Sequence, residues 1–290
     1  MDNPRALWFT LLKSSKIQIN SIQIYKGLYP EIAKKIDSNL PVNQIINWIR
    51  QETINTCNNI HKINPKVGAL NNSAGRWNEY IATSLLSEIA LDLNITRSEH
   101  IAIFSLPNSM VEKFDSEKVS SKFLNLFDLN EFLSGFSLER ISKYRRRIFL
   151  SSPDYVVVTS TDLLSQSMIK TLLENQARDP GSFGLYNFFE NKLLAKDLKA
   201  AISLKTSNRP DRRYQPLFEA AMIKAMGAAS NQNWKYFMVS SQLSSADLRL
   251  FGAIVAPHSL LLDIDLKLVD ATYLYSYKSD LIPLMRDSLS

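Results

Sequence analysis

Short apolar runs alternate with stretches of helical periodicity along this chain, and the alternation predicts a mixed α/β fold. Residues 155–159 read Tyr-Val-Val-Val-Thr, and residues 201–205 read Ala-Ile-Ser-Leu-Lys. Short apolar runs that contain β-branched residues and are bounded by turn formers favour buried strands. The same criteria predict strands within 233–240 and 269–277. We therefore expect a mixed central sheet flanked by helices.

Helical periodicity is clearest in three other stretches. Residues 42–49 place apolar side chains at positions i, i+3, i+4 and i+7, and residues 76–90 do so after a predicted turn at 71–75. From Leu217 the chain is rich in strong helix formers until Gly227, where we expect the helix to end.

The first 65 residues differ from the rest because they contain no predicted strand. An apolar start at 6–12 and the helix at 42–49 predict a helical N-terminal region over 1–65, followed by an α/β core over 66–290. A length of 290 residues fits one domain, or one domain with such a helical addition.

Composition and charge narrow the function classes. The chain has one cysteine, Cys57, and three scattered histidines, which excludes a disulfide framework and a zinc site built from cysteine or histidine. Its net charge of +6 permits a nucleic-acid partner. The basic cluster 143–147 fits either a solvated face or contacts with phosphates. Without a signal-peptide pattern or a membrane-length apolar run, we expect a cytosolic protein with no membrane partner.

Charged residues collect at the ends of two predicted strands. Asp154 lies at the start of one strand and Lys205 at the end of another, where the two-residue period places Lys205 on the same face as Ser203. The loop after Lys205 leads to the helix that carries Glu219, and it contains four charged residues: Arg209, Asp211, Arg212 and Arg213. Such a loop can read base edges, with arginine on guanine and aspartate on the cytosine amino group. The same pattern also fits a solvated strand end beside a surface ion-pair network.

The arrangement of Pro153-Asp154 and Lys205 resembles the PD-(D/E)XK nuclease signature, in which a carboxylate-X-Lys follows on the neighbouring strand. This chain departs from that signature because Ser203 stands at the second carboxylate position. In that departure it resembles the type II restriction endonucleases that recognise sites with a CCGG core. In this subgroup the strand reads Ser-X-Lys, and the second metal carboxylate lies on the following helix, which corresponds here to Glu219.

Two further matches extend the resemblance, which covers roughly residues 70–285. The recognition loop of that family, Arg-(Pro/Ser)-Asp-Arg, corresponds to residues 209–212. A family glutamate in a Gly-X-X-X-Glu setting aligns with Glu79, which selects it over Glu88. Asn72 is at the position where one family member reads a base outside the core.

The resemblance implies a restriction-endonuclease-like fold and Mg²⁺-dependent cleavage of double-stranded DNA. Asp154 and Glu219 would ligate Mg²⁺, Lys205 would orient or activate the attacking water, and Ser203 and Glu79 would support the site. Cleavage would precede the first C of CCGG and leave 5′-CCGG overhangs. A palindromic site implies two-fold symmetry, so we expect a homodimer or a homotetramer, or a form that assembles only on DNA, in a prokaryotic cytoplasm.

Two other interpretations stay open at this point. A repair or recombination nuclease of the same fold would lack sequence specificity, and it would prefer branched DNA to a linear duplex. A DNA-binding protein without catalysis would use Asp154, Lys205 and Glu219 only as a buried ion-pair network, and it would bind equally well without Mg²⁺.

Overall fold

A computed structural model describes residues 4–12, 16–108, 110–112, 115–150, 153–206, 214–263 and 265–290 of the chain. Its centre is a five-stranded sheet. In their order across the sheet, the strands are His100–Ser105 (β3), Tyr155–Ser160 (β6), Leu198–Lys205 (β7), Lys235–Ser240 (β8) and Ala271–Leu274 (β9).

The sheet is mixed, as the apolar pattern predicts. Strands β3, β6 and β7 pair antiparallel, whereas β7, β8 and β9 pair parallel. Strands β6 to β9 confirm the predicted strands, and the side chains of residues 155–159 are all buried in the core. Strand β3, which lies at one edge, was not predicted.

The N-terminal region begins with a hairpin rather than with a helix. After a 3-10 turn at Pro4–Trp8, strands Phe9–Leu12 (β1) and Lys16–Ile19 (β2) pair antiparallel. The helical interpretation of 6–12 is therefore wrong, because seven residues are too few to separate a helical period from a strand period, and cross-strand pairing decides. Helices Ser21–Asp37 (α1) and Val42–His61 (α2) follow, and α2 confirms the helix predicted at 42–49. The division at residue 65 stays a prediction.

Helix Val67–Asn94 (α3) runs unbroken through the turn predicted at 71–75, so that turn is wrong. Its buried stripe already includes Leu70 and Ser73. The Oγ atom of Ser21 donates to that of Ser73 at 3.0 Å, and Nε1 of Trp77 donates to the carbonyl of Ser21 at 3.1 Å. These contacts with α1 outweigh the local preference of Asn, Ser and Gly for a turn.

Helix Tyr214–Ala229 (α7) continues past Gly227, which was expected to end it. A Cβ at this position would lie 3.0 Å from the carbonyl oxygen of Gln232 and 3.4 Å from Trp234. Glycine here allows a close backbone approach instead of ending the helix.

The remaining strands and α-helices lie outside the central sheet. None of the helices in the described part of the chain is long and apolar enough to cross a membrane. These elements are the strands Met110–Glu112 (β4) and Asp115–Ser120 (β5), and the helices Glu139–Ser142 (α4), Leu163–Arg178 (α5), Gly184–Phe189 (α6), Ser245–Ala253 (α8), Ser259–Leu262 (α9) and Leu281–Asp287 (α10).

Candidate active site

The antiparallel pairing of β6 with β7 brings Asp154 and Lys205 together. Tyr155 lies opposite Ile202, so the residue before β6 meets the end of β7. The Oδ2 atom of Asp154 accepts hydrogen bonds from the backbone N–H of Leu204 at 2.6 Å, from Nζ of Lys205 at 2.9 Å and from Oγ of Ser203 at 3.3 Å. The strand ends therefore place three of the predicted site residues in direct contact.

The ammonium group of Lys205 is held in its charged form. Burial of this side chain would lower its pKa, but the Asp154 carboxylate and the hydrogen bond to it outweigh burial, so the pKa is raised. Glu219 and Glu79 act in the same direction. Lys205 is therefore a fixed positive charge among three carboxylates.

Glu219 is buried on α7, with 1% of its surface exposed. Its Oε1 accepts from Nε2 of Gln215 at 3.1 Å, and its Oε2 accepts from Oη of Tyr236 at 3.1 Å. The hydroxyl group of Ser203 donates separately to Oδ2 of Asp154 at 3.3 Å. Each of these two carboxylates is therefore held by a hydroxyl group of its own.

Glu79 reaches the same region from α3. Nη1 of Arg76 lies 3.1 Å from its Oε2. Burial raises the pKa of Glu79, Arg76 opposes that rise, and the nearby Asp154 carboxylate adds to it. The hydroxyl of the buried Tyr155 donates to the backbone carbonyl of Glu79 at 2.9 Å, which ties α3 to β6 beside the site.

Open space adjoins these side chains on two sides. A cavity of about 190 Å³ is lined by Asp154, Lys205, Glu79, Asn78 and Gln215, together with Gly75, Leu204 and Thr206. A second cavity of about 340 Å³ lies along Arg76 and Asp154 and extends to Phe183. Asn78 is 1% exposed, and its Oδ1 atom has no hydrogen-bond partner among the described residues. The smaller cavity can therefore supply a water or a substrate group to that oxygen.

The donor set fits a hard divalent cation. Asp154 and Glu219 supply carboxylate oxygens near Lys205, and Glu79 supplies a third carboxylate at the cavity wall. Mg²⁺ is held by one or two carboxylates together with waters and phosphate oxygens. In the described part of the chain, no three Asp, Glu, His or Cys side chains are already grouped around one point, so the remaining ligands would come from water and substrate.

Of the predicted DNA-reading residues, only Asn72 lies in the described part of the chain. Arg209, Asp211, Arg212 and Arg213 lie outside the described residues. Asn72 is exposed on α3 and lines a groove of about 690 Å³ that also includes Thr206, the last described residue before that loop.

The basic cluster at 143–147 follows α4. The Lys143 ammonium and the Arg147 guanidinium both lie over the ring of Tyr144, and Arg145 lies over Phe132. Part of the cluster therefore covers aromatic surface, and its phosphate role stays a prediction.

Sequence reasoning missed Tyr236, Asn78 and Gln215. The strand containing Tyr236 was predicted, but its contact with Glu219 depends on how α7 packs against β8. Gln215 lies one helical turn before Glu219, so its position was open to prediction. Asn78 directly precedes Glu79, but it lies off the predicted apolar stripe of its helix. The sequence pattern therefore gave no reason to select it.

Three comparisons place these observations beside known proteins. The family model described as Cfr10I/Bse634I restriction endonuclease matches residues 8–290. Among solved structures, Bse634I restriction endonuclease superposes with a TM-score of 0.75 at 20% identity, covering 100% of both chains. The type IIF restriction endonuclease Bse634I with cognate DNA gives 0.74 at 20% identity over 96% of each chain. No curated protein matches the sequence. The structural likeness confirms the predicted restriction-endonuclease-like fold.

Proposed function

Because the chain belongs to the Cfr10I/Bse634I restriction endonuclease family, we propose that it is a Mg²⁺-dependent type II restriction endonuclease that cleaves double-stranded DNA at a palindrome with a CCGG core. The observation that carries the proposal is the cluster of Asp154, Ser203 and Lys205 at the sheet end, with the carboxylate of Glu219 near the Lys205 ammonium group. The Arg-Pro-Asp-Arg segment at 209–212 follows Lys205 in the sequence. A prokaryotic cytoplasm is the proposed location.

In this proposal, Asp154 and Glu219 hold the metal ion. When bound, Mg²⁺ would polarise the scissile phosphate, stabilise its negative charge and lower the pKa of a nearby water. Lys205 orients the attacking water and stabilises the negative charge that develops on the phosphate, because its ammonium is fixed at 2.9 Å from Asp154 Oδ2 and faces the smaller cavity. Ser203 keeps the Asp154 carboxylate in place through its hydroxyl group.

Sequence reading is assigned to the loop between β7 and α7. Arg209 and Arg212 each take a guanine, Asp211 takes the cytosine amino groups, and Arg213 contacts the backbone. Asn72 faces the adjoining groove and is the proposed contact outside the core. Cleavage before the first C gives 5′-CCGG overhangs, and the palindrome calls for two chains on one site, as a dimer or within a tetramer.

Two observations favour a second candidate, a DNA-binding protein without catalysis. Asp154 and Lys205 already form an ion pair at 2.9 Å, and no three metal-binding side chains are grouped within the described residues. Such a protein would bind DNA equally well in Mg²⁺ and in EDTA and would cut nothing.

Two short duplexes distinguish these functions. One carries a central CCGG and the other carries GGCC with the same flanks, and each is incubated with the protein in Mg²⁺ or in EDTA. The proposal predicts that only the CCGG duplex is cleaved, and only in Mg²⁺ and not in EDTA. Cleavage of both duplexes would indicate a nuclease without this specificity, and binding without cleavage in both buffers would favour the second candidate.

A further inference from the structure

Tyr236 is the first buried residue of β8, and its position is fixed from two sides. Its backbone N–H donates to Oδ2 of Asp270 at 2.7 Å, and that carboxylate also binds Nζ of Lys224 on α7. Its side chain is fully buried. In the parallel register it lies opposite Ala201 on β7. The strand therefore delivers a rigid hydroxyl group into the interior of the site.

That hydroxyl group holds one of the carboxylates of the site. It donates its proton to Oε2 of Glu219 at 3.1 Å, whereas Oγ of Ser203 donates to Oδ2 of Asp154 at 3.3 Å. A neutral hydroxyl group can donate to a carboxylate, which a second ionised carboxylate cannot do. Tyr236 and Ser203 therefore each hold one negative group without adding a third charge to a buried place.

We propose that Tyr236 is a positioning residue that holds the carboxylate of Glu219, through its Oε2 atom, in the orientation needed to bind the divalent metal together with Asp154. This inference rests on the proposed function, in which Glu219 is a metal ligand. Ser203 holds the carboxylate of Asp154 in the same way, through its hydrogen bond of 3.3 Å. Residues that hold a ligand through a hydrogen bond typically change metal affinity about 10- to 100-fold when they are removed.

Tyr236→Phe is the direct test, because it removes the hydroxyl and keeps the buried ring. The complex of the protein with a duplex carrying its cleavage site, with phosphorothioate at the scissile position, is titrated with Mn²⁺ by calorimetry. We expect Mn²⁺ affinity to fall about tenfold or more, while DNA affinity in EDTA stays unchanged. Ser203→Ala, which removes the hydrogen bond to Asp154, is expected to weaken Mn²⁺ binding in the same direction.

Tyr275→Phe is the matched control. Tyr275 is also fully buried, and its hydroxyl has no hydrogen-bond partner among the described residues. Loss of this hydroxyl group should leave Mn²⁺ affinity unchanged. A fall in Mn²⁺ affinity in this variant would reveal a general effect of removing a buried phenolic hydroxyl. An equal loss of Mn²⁺ affinity in both variants would overturn the specific role of Tyr236.

Glu219→Gln separates this inference from the proposed function. If Glu219→Gln weakens Mn²⁺ binding and Tyr236→Phe does not, the metal site stands and the role of Tyr236 is overturned. If neither variant weakens Mn²⁺ binding, Glu219 is not a ligand, and both the metal assignment and the inference fail. Weakening in both variants, with Tyr275→Phe unchanged, supports the inference.

Discussion

At the scale of single residues, we expect the removal of the Lys205 side chain to separate catalysis from binding. Lys205→Ala removes the fixed ammonium group beside Asp154 and leaves the recognition loop in place. We expect cleavage to fall by at least about 10²–10³-fold, the cost of removing one preorganised stabilising group, while affinity for the cognate duplex in EDTA is retained. Gel-shift and single-turnover cleavage assays measure the two quantities.

Lys199→Ala provides the control on the same strand. Its ammonium group lies 4.0 Å from Glu99 and takes no part in the site. It should change neither cleavage nor binding. Loss of cognate binding in Lys205→Ala, with Lys199→Ala unaffected, would make Lys205 a structural residue.

Glu79 makes stability depend on pH. Its pKa is raised above the ordinary value of 4.5, chiefly by burial, so the folded protein holds this proton more tightly than the unfolded chain does. That contribution to stability is complete below pH 4.5 and is lost as pH rises through the folded pKa. Glu79→Gln removes the ionised carboxylate, and we expect a higher melting temperature than wild type at pH 8 and little difference at pH 4.

Glu88→Gln is the matched control for this pH effect. Glu88 lies on the same helix and pairs with Lys278 at 2.7 Å, so its neutralisation removes a favourable ion pair. It should not raise the melting temperature at pH 8. A melting temperature of Glu79→Gln at or below that of wild type at pH 8 would contradict the burial cost at Glu79.

At the scale of elements, Gly75 in α3 is the position where we expect a gain in stability to reduce DNA access. A glycine inside a helix costs about 0.5–1 kcal/mol relative to alanine. A Cβ at Gly75 would meet no atom within 4 Å, and the residue lines both the smaller site cavity and the groove beside Asn72. Packing within the free protein therefore does not require glycine here. We attribute the presence of glycine at this position to close approach of the DNA backbone.

Gly75→Ala should therefore be more stable and less active. We expect the free energy of unfolding, measured with urea, to rise by about 0.5–1 kcal/mol, while cleavage of the cognate duplex falls. Gly252→Ala, in α8, also has free space around the added methyl group and should leave cleavage unchanged. Full cleavage by Gly75→Ala would refute the proposed approach of DNA at this helix.

The loop between β7 and α7 is the element to which sequence reading is assigned. Arg209→Ala and Arg212→Ala should each reduce discrimination against a mismatched core by about 1–3 kcal/mol, while salt-sensitive binding to random DNA remains. Arg97→Ala is the control, since it precedes His100 at the end of β3 that lies far from Asp154. Unchanged discrimination in both loop variants would remove the loop from recognition.

Elements were predictable where the local pattern agrees with the final packing. Strands β6, β7 and β8 carry continuous apolar runs, and their burial on both faces explains why the pattern was sufficient. The segments 6–12 and 71–75 were predicted wrongly because hairpin pairing and contacts with Ser21 decide their structure. The contact of Tyr236 with Glu219 could not be predicted, since it depends on the packing of α7 and on the register of β7 with β8.

At the scale of the whole molecule, the resemblance read from a few motifs agrees with the family match over residues 8–290. Motif spacing was sufficient for the family because Asp154 and Lys205 lie at the ends of two predicted strands and Glu219 lies on the predicted helix that follows the second one. The number of chains that act together stays a prediction, because it depends on surfaces with no local sequence pattern. The net charge of +6 is modest, so we attribute specificity to positioned groups rather than to overall attraction for DNA.

The most direct test of the central claim is to digest plasmid and phage DNA with the purified protein, in Mg²⁺ or in EDTA, and to sequence the ends. The proposal predicts discrete fragments in Mg²⁺ alone, each with a 5′-CCGG overhang, and the sequences would also reveal the flanking bases. Because an enzyme that needs a second site could leave scarce sites intact, a CCGG oligonucleotide is also added in trans. Smears of random ends, or intact DNA in Mg²⁺ with that oligonucleotide present, would contradict the proposal.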